Sequence, residues 1–299
     1  MHIANPIYDV VFKYMLEDNK TARLFLSAII GENIVELELG AQERMVEIYP
    51  PDKEKIPLTV SRSDFSAKIK TETGFKTVII ELQKAKYLSD LMRFRRYLGL
   101  HYRNPDNSYD NLQVKARQIY CIYFLDYGMD LPKRPVLKVN YKVWDAYTGD
   151  EFPASGEFVS GLHHCSWIVQ IQQLKERRRN DLEKILSIFD QSNVTSTRHI
   201  LDVDEDSFPE EYRHIIRRLR KAMEDPQKRG EMELEDDIIM ELQDKERQIE
   251  EKDKALEEKD KTIADISKTI ADKDQTIADI SKTVAHLEKE LAELKLKYK

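Results

Sequence analysis

Apolar residues at helical spacing open the chain. From Ile7 to Ile29 they recur every three or four positions, and Gly31 follows as a helix-ending residue. This spacing predicts one or two helices over residues 6–30, with a bend near Asp18. The next eight residues, NIVELELG, alternate between apolar and polar, which predicts a short strand.

Two apolar runs separated by the turn sequence TETG predict a β-hairpin over residues 58–83. Side chains on a strand alternate between its two faces. One face of the first strand therefore carries Asp64, Ser66, Lys68 and Lys70, and one face of the second carries Ile79, Glu81 and Gln83. The carboxylates of Asp64 and Glu81 can thus point to the same side of the sheet.

The residues after the hairpin predict a helix and then further strands. Apolar residues among charges indicate a helix that runs to about His101 and carries Arg93 and Tyr97 one turn apart. The sequence RQIYCIYFLDY predicts a buried strand, and PVLKVNYKVWDAY and FVSGLHHCSWIVQIQQL predict two more. Alternation of strands and helices through residue 175 favours an α/β fold with a mixed sheet.

Basic helices are predicted from residue 175 onward. In FPEEYRHIIRRLRKAMED, one face is apolar and carries Tyr212, Ile215, Ile216, Leu219 and Met223, and the other carries Arg213, Arg217 and Arg220. A basic face of this kind either contacts backbone phosphate or is simply solvated, and Arg217 and Arg220 are the candidates for phosphate contact. Pro226 and Gly230 predict a break after this helix.

The last part of the chain is a heptad repeat. Apolar residues stand seven apart at Leu242, Ile249, Leu256, Ile263, Ile270, Ile277, Val284 and Leu291. Three positions after these come Lys245, Lys252, Lys259, Ile266, Lys273, Ile280, Leu287 and Leu294. The pattern predicts a coiled coil and favours a parallel homodimer. The lysines weaken the apolar seam, so a single helix remains the alternative.

Charge is unevenly distributed over the 299 residues. The net charge is −7, but residues 201–299 hold 20 basic and 29 acidic residues, so the acidic excess lies in the tail. The rest of the chain is compatible with a polyanionic ligand. Two cysteines without a CxxC pair, no signal-peptide pattern and no apolar run of about 20 residues predict a cytoplasmic protein without a membrane span.

Asp64, Glu81 and Gln83 form the pattern D-x16-E-x-Q. Two converging carboxylates make an oxygen site suited to Mg²⁺, with Mn²⁺ as an alternative, and such a metal assists phosphodiester cleavage. An amide or a cation two residues after the glutamate can orient the attacking water. His163 and Cys165, in the sequence HHC, are expected to be structural, because no other paired zinc ligands accompany them.

These residues carry a family resemblance. The pattern resembles the PD-(D/E)xK nuclease superfamily and, more narrowly, the PD-(D/E)xK family transposases, the Rpn-like recombination-promoting nucleases. The matching stretches are YDVVFKYMLEDNKTARLFLSAII, SRSDFSAKI, VIIELQKAKYLSDLMRFRRYLGLHY and QIYCIYFLDY. The resemblance covers roughly residues 5–190 and implies a restriction-endonuclease-like α/β core over residues 1–190. The residue patterns outside it predict a helical extension over 191–230 and a coiled coil over 231–299.

The sequence departs from the superfamily pattern at Gln83, where a lysine is usual. The narrower group is similar in using E-x-Q, so the glutamine does not by itself imply loss of activity. An amide can donate a hydrogen bond to water but supplies no charge. Lys68 shares the Asp64 face and is the first candidate for a displaced lysine, with Lys13, Lys84 and Lys86 as others.

The residues and the resemblance together predict a metal-dependent DNA endonuclease linked to recombination or transposition. Asp64 and Glu81 would bind Mg²⁺, Gln83 and Lys68 would assist the chemistry, and Arg93 and Tyr97 would contact phosphate. The alternative is a catalytically weak protein that binds nucleic acid or serves as a scaffold, assembled through its coiled coil.

Overall fold

The computed structural model describes most of the chain. The described residues are 1–40, 43–44, 61–62, 65–83, 94–95, 98–99, 101–102, 118–128, 130–153, 156–175 and 177–297. Asp64, Arg93, Tyr97, Lys84 and Lys86 lie outside them, as does the side chain of Gln83. By its internal contacts the chain divides into two units, Met1–Ile239 and Met240–Lys299.

Strands and helices alternate through the first unit. The strands are β1 (His2–Ala4), β2 (Ile34–Leu39), β3 (Glu43–Arg44), β4 (Ser61–Arg62), β5 (Phe65–Thr71), β6 (Gly74–Gln83), β7 (Gln118–Leu125), β8 (Val136–Val139), β9 (Val143–Trp144), β10 (Glu151–Phe152), β11 (His164–Gln170) and β12 (Ile200–Asp202). The α-helices are α1 (Asp9–Glu17), α2 (Asn19–Ile30), α3 (Glu157–Gly161), α4 (Asp181–Leu186), α5 (Arg213–Glu224) and α6 (Pro226–Lys297). Residues 94–95, 98–99 and 101–102 are also helical.

A six-stranded mixed sheet lies at the centre of the described part of the first unit, in the order β2-β5-β6-β7-β11-β8. The hairpin β5–β6 is antiparallel, as is its pairing with β2, whereas β6, β7 and β11 run parallel. β8 pairs antiparallel with β11 at the far edge. The mixed sheet that the sequence predicts is therefore confirmed.

The N-terminal residues of the first unit pair with a strand near residue 200, outside the six-stranded sheet. β1 pairs antiparallel with β12, and the amino group of Met1 donates hydrogen bonds to the Asp202 carboxylate and the Val203 carbonyl. By its internal contacts, the stretch 191–230 belongs to the unit Met1–Ile239.

The N-terminal residues form two helices, as the apolar spacing predicts. Asp18 separates α1 from α2, and its side chain accepts a hydrogen bond from the backbone N–H of Thr21 at 3.0 Å. This contact satisfies one of the free N–H groups at the start of α2. Gly31 ends α2 at φ 76°, a left-handed conformation that glycine adopts without steric cost.

The central strands are buried on both faces. Residues of one face, such as Ile80, belong to the main core with α1, α2 and α5, whereas Ile79 belongs to a second cluster with Phe94 and Leu98. The alternation predicted for the hairpin is thus confirmed. Because both faces are covered, the strand reads as a continuous apolar run before Glu81.

Some predicted boundaries are wrong. Gly230 does not break the chain, because α6 begins at Pro226 and continues through it, and the break lies at Asp225 in extended conformation. Proline suits the first turn of a helix, and one glycine costs a long helix only about 1 kcal/mol. The start of FVSGLHHCSWIVQIQQL is the short helix α3 rather than a strand, and the strand begins at His164.

Helix α6 supplies the heptad repeat. Within the second unit its apolar heptad residues from Leu242 to Leu294 are all exposed, and Ile263 and Ile277 are each 60 % exposed. The helical part of the coiled-coil prediction is therefore confirmed, and pairing stays a prediction. No helix among the described residues combines the length and apolar character needed to cross a membrane.

A charged cluster is buried near the start of β6. The Lys76 side chain, only 4 % exposed, donates hydrogen bonds to both Glu32 oxygens and to Thr73. The Tyr120 hydroxyl donates to Glu32 at 2.9 Å. Partial burial by itself would raise the pKa of Glu32, but the hydrogen bonds from Lys76, Thr73, Thr71 and Tyr120 lower it from 4.5 to about 2.

The low pKa of Glu32 predicts a loss of stability in acid. A carboxylate with a lowered pKa stabilises the fold above pH 4.5, and this contribution disappears as the pH falls through about 2. It amounts to up to about 3 kcal/mol of unfolding free energy. Glu32→Gln should be less stable at neutral pH, because Lys76 loses its charged partner, and should lack this pH dependence in urea unfolding between pH 5 and 2.

Glu36→Gln is the matched control, because Glu36 forms an exposed ion pair with Lys70 and such pairs contribute little. An unchanged pH dependence in Glu32→Gln would contradict the role assigned to the cluster.

Candidate functional site

Glu81 lies near the carboxyl end of β6 and is only 1 % exposed. It is paired with Tyr123 of the parallel strand β7, and it shares its face with Ile79 and the second apolar cluster. Burial, then the charges of Cys121 and Glu81, raise the pKa of the Tyr123 phenol. A buried carboxylate at the end of two parallel strands is a candidate functional group, because charges are costly to bury without a specific role or partner.

The described register of the hairpin stops at Phe65, one residue after Asp64, which is the second predicted carboxylate. β5 and β6 pair Phe65 with Ile80 and Ser66 with Ile79. Asp64 directly precedes Phe65, and Glu81 directly follows Ile80. Asp64, Arg93 and Tyr97 lie outside the described residues, so their places in the site stay predictions.

Lys68 lies on the predicted face but is separated from Glu81 along the sheet. The register pairs Lys68 with Thr77, four residues before Glu81. At about 3.3 Å per residue, this is a separation of about 13 Å along the strand. The structure therefore does not bring Lys68 and Glu81 together.

Arg217 and Arg220 lie on α5, apart from the Glu81 face. The apolar residues of α5 belong to the main core, whereas the face of Glu81 belongs to the second cluster. Arg217 donates to Glu205 at 2.8 Å and Arg220 to Glu224 at 3.2 Å. Both arginines are solvent-exposed, as predicted, but each already has an acidic partner.

A cleft of about 610 Å³ lies on the same side of the sheet as Glu81. Tyr123, the register partner of Glu81, lines it together with His164 and Ser166 from β11. The other lining residues come from the helical residues after β6, from the end of β8 and from two loops: Phe94, Arg95, Leu98, Tyr102, Val139, Asn140, Tyr141, Leu162 and His163. Aromatic rings, two histidines and one arginine thus surround an open cavity.

Ring contacts and one hydrogen bond order the cleft. The rings of Tyr141 and His163 are stacked, with centroids 4.8 Å apart at 26°. The Tyr102 hydroxyl lies 3.0 Å from His164 Nδ1. Burial, and then the neighbouring His163, lower the pKa of His164 below its ordinary 6.5, so its imidazole is neutral at pH 7.

The sequence does not identify these cleft residues as a site. The sequence HHC was the available signal, but only His163 and Cys165 were considered as a pair, and both were expected to be structural. His164 lies on the Tyr102 side, whereas Cys165 is buried in the main core. No group of three His, Cys, Asp or Glu side chains suited to a metal occurs among the described residues.

The Glu81 carboxylate suits magnesium better than zinc. Mg²⁺ prefers oxygen ligands and commonly takes one or two protein carboxylates with waters and phosphate oxygens. Glu81 supplies one such carboxylate, placed on a rigid central strand. A complete cage of protein ligands is not required for this ion.

Comparison with known proteins adds no assignment: no protein-family model, no curated protein and no solved structure matches the chain. The fold and the site define a mixed α/β protein with a buried strand carboxylate and, on the same side of the sheet, an aromatic, histidine-containing cleft.

The lowered pKa of His164 predicts a pH effect on the first unit. The folded state binds the His164 proton less readily than the unfolded state does, so this contribution to stability is present above about pH 6.5 and falls at lower pH. His164→Gln should therefore show a smaller drop in unfolding free energy between pH 8 and pH 5 than the wild type. His286→Gln, at an exposed tail position, serves as the control in the same urea titrations and should match the wild type. Equal drops in all three chains would refute the prediction.

Proposed function

We propose that this chain is a magnesium-dependent DNA endonuclease with a PD-(D/E)xK restriction-endonuclease-like core, linked to DNA recombination or transposition. The observation that carries the proposal is Glu81, a carboxylate buried to 1 % exposure at the end of β6. Its hairpin partner strand begins directly after Asp64. Strand-borne carboxylates of this kind are suited to a metal that assists phosphodiester hydrolysis.

The order of elements supports this class. Helices α1 and α2 precede an antiparallel meander of β2, β5 and β6, and helical residues between 94 and 102 precede the parallel strand β7. A crossover from β6 to the parallel β7 places the carboxyl ends of both strands at one edge of the sheet. Active sites of open α/β sheets commonly lie at that edge.

The roles of the residues follow from their chemistry. Glu81 and Asp64 would hold Mg²⁺, which when bound stabilises charge on the phosphate and lowers the pKa of water. Gln83 is the last residue of β6, two positions after Glu81. Its amide would orient water by hydrogen bonds without adding charge.

The cleft on the Glu81 side of the sheet suits nucleic acid, and its β11 residues His164 and Ser166 lie level with Thr77 and Ile79 of β6. Aromatic rings such as those of Tyr102 and Tyr141 can stack on bases whatever their sequence. Arg95 is exposed and lines the same cleft, where a guanidinium can form charge-assisted hydrogen bonds with a phosphate. This pairing of stacking groups with a cation is typical of sites that bind unpaired nucleotides.

A plasmid-cleavage assay with and without Mg²⁺ tests the proposal. Glu81→Gln and Asp64→Asn should each lower the cleavage rate by about a hundredfold or more, because each removes a charge that holds the metal. Binding of the same DNA without metal should be kept. Glu72→Gln, in the exposed hairpin turn, is the matched control and should cleave at the wild-type rate. Undiminished cleavage by Glu81→Gln would reject the assignment.

One observation favours the alternative of a DNA-binding or scaffold protein with weak catalysis. Gln83 stands where the superfamily pattern has lysine, and the register separates Lys68 from Glu81. In the same assay, DNA binding by the wild type without any metal-dependent cleavage would favour this alternative.

The two basic surfaces predict different effects on DNA binding. Arg95→Gln should weaken binding of a short single-stranded oligonucleotide by about fivefold to tenfold, the loss expected for one charge-assisted phosphate contact. Arg217→Gln should have a smaller effect, because Glu205 already neutralises that side chain. Fluorescence anisotropy over a salt series measures both. A larger effect of Arg217→Gln would show that α5, rather than the cleft, is the main nucleic-acid-binding surface.

A further inference from the structure

Helix α6 leaves an apolar stripe in water along the whole second unit. The first set of heptad positions, which begins at Leu242, is termed a, and the set three residues later is termed d. All described apolar residues at a and d are between 44 % and 60 % exposed. A stable helix of this length buries such a stripe against another helix, because the a and d residues form one continuous seam.

The charge at position e, beside the seam, depends on the residue at position d. Position e directly follows d, and every d lysine is followed by an acidic e residue: Glu246, Asp253, Asp260 and Asp274. The two d isoleucines, Ile266 and Ile280, are each followed by serine. The g positions from 248 to 283 carry no charge. From residue 245 to residue 281, negative charge at e therefore accompanies positive charge at d, layer by layer.

We propose that the second unit, Met240–Lys299, pairs with the same helix of a second copy of this chain, parallel and in register. In a parallel pair, the hole that receives a d side chain includes the partner's e residue from the same heptad. Each d lysine then lies beside an acidic residue of the partner. The lysine layers thereby set the orientation and the register of the pair.

Orientation follows from which residues share a layer. In a parallel pair, a residues face a residues, so every a layer is wholly aliphatic and the lysines are confined to four d layers. In a fully overlapping antiparallel pair, each d residue faces an a residue, so Lys252 would lie opposite Val284. Eight layers would then contain a lysine, and the aliphatic contacts of those layers would be lost.

Register follows from the two d isoleucines. In register, Ile266 packs on its own copy and so does Ile280. A shift by one heptad places Ile266 against Lys259 or Lys273 and sets the lysine beside a serine instead of a carboxylate. Polar residues at a seam specify register in this way at some cost in stability.

In the single chain, the contact of Lys245 is an exposed one within its own helix. Lys245 pairs with Glu241 on its own helix, and both side chains are more than 60 % exposed. Exposed pairs of this kind contribute little and are readily exchanged for contacts with a partner.

Disulfide trapping in the full chain tests orientation and register. Ile263→Cys, at an a position, should form a covalent dimer under mild oxidation, because parallel in-register pairing sets position 263 against its own copy. Lys268→Cys, on the outer face, and the wild type, whose two cysteines are buried, should not. Cross-linking only in a mixture of Ile263→Cys and Lys273→Cys would show antiparallel pairing and overturn the proposal. Sedimentation of the wild type as a monomer at tens of micromolar would overturn it as well.

Charge variants test the lysine layers. Asp253→Lys with Asp260→Lys should raise the dissociation constant of the dimer about tenfold relative to Asp265→Lys with Asp272→Lys, which makes the same charge change away from the seam. Adding Lys252→Glu and Lys259→Glu to the first pair should restore self-association, since the charges are exchanged within each layer. Equal dissociation constants for the two aspartate pairs would reject the role of these layers.

Discussion

Strand β6 is hydrogen-bonded to an antiparallel neighbour on one side and to a parallel neighbour on the other, and both of its faces are covered. A shift of one residue in either register would turn every side chain of the strand to the opposite face. Ile80 would leave the main core, and Glu81 would enter it. The burial of apolar residues on both faces therefore fixes Glu81 on the face of the sheet that carries the candidate site.

The same strand accommodates two acidic groups in different ways. Near its start, Lys76 meets Glu32, and threonine and tyrosine hydroxyls complete the hydrogen bonds of that carboxylate. This cluster is satisfied within the protein and has the features of a structural element. Near its end, Glu81 is paired in register with Tyr123, which lines a cleft large enough for a ligand. The proposed chemistry belongs to the end of the strand, and the charged cluster of Lys76 and Glu32 lies at its start.

The two units use charge for separate purposes. In the first unit, Glu205 and Glu224 pair with two arginines of α5, and Arg95 lines the cleft. In the second unit, lysines and carboxylates alternate beside an aliphatic seam, where they can select a partner. A single net charge for the chain hides this division, because the acidic excess belongs to the tail.

Local periodicity was sufficient for much of the fold. The two N-terminal helices, the alternating faces of the hairpin, the buried strand β7, the amphipathic helix α5 and the helical tail all follow from residues close together in the sequence, because each element is set by its own apolar spacing. Glu81 was found in the same way, as a carboxylate that ends an apolar run. The sequence could not show that Lys68 lies opposite Thr77, four residues before Glu81 on β6, since strand register depends on packing across the sheet. Nor could it bring Tyr102 to His164 or Glu205 to Arg217, because those contacts join residues that only the tertiary structure places side by side.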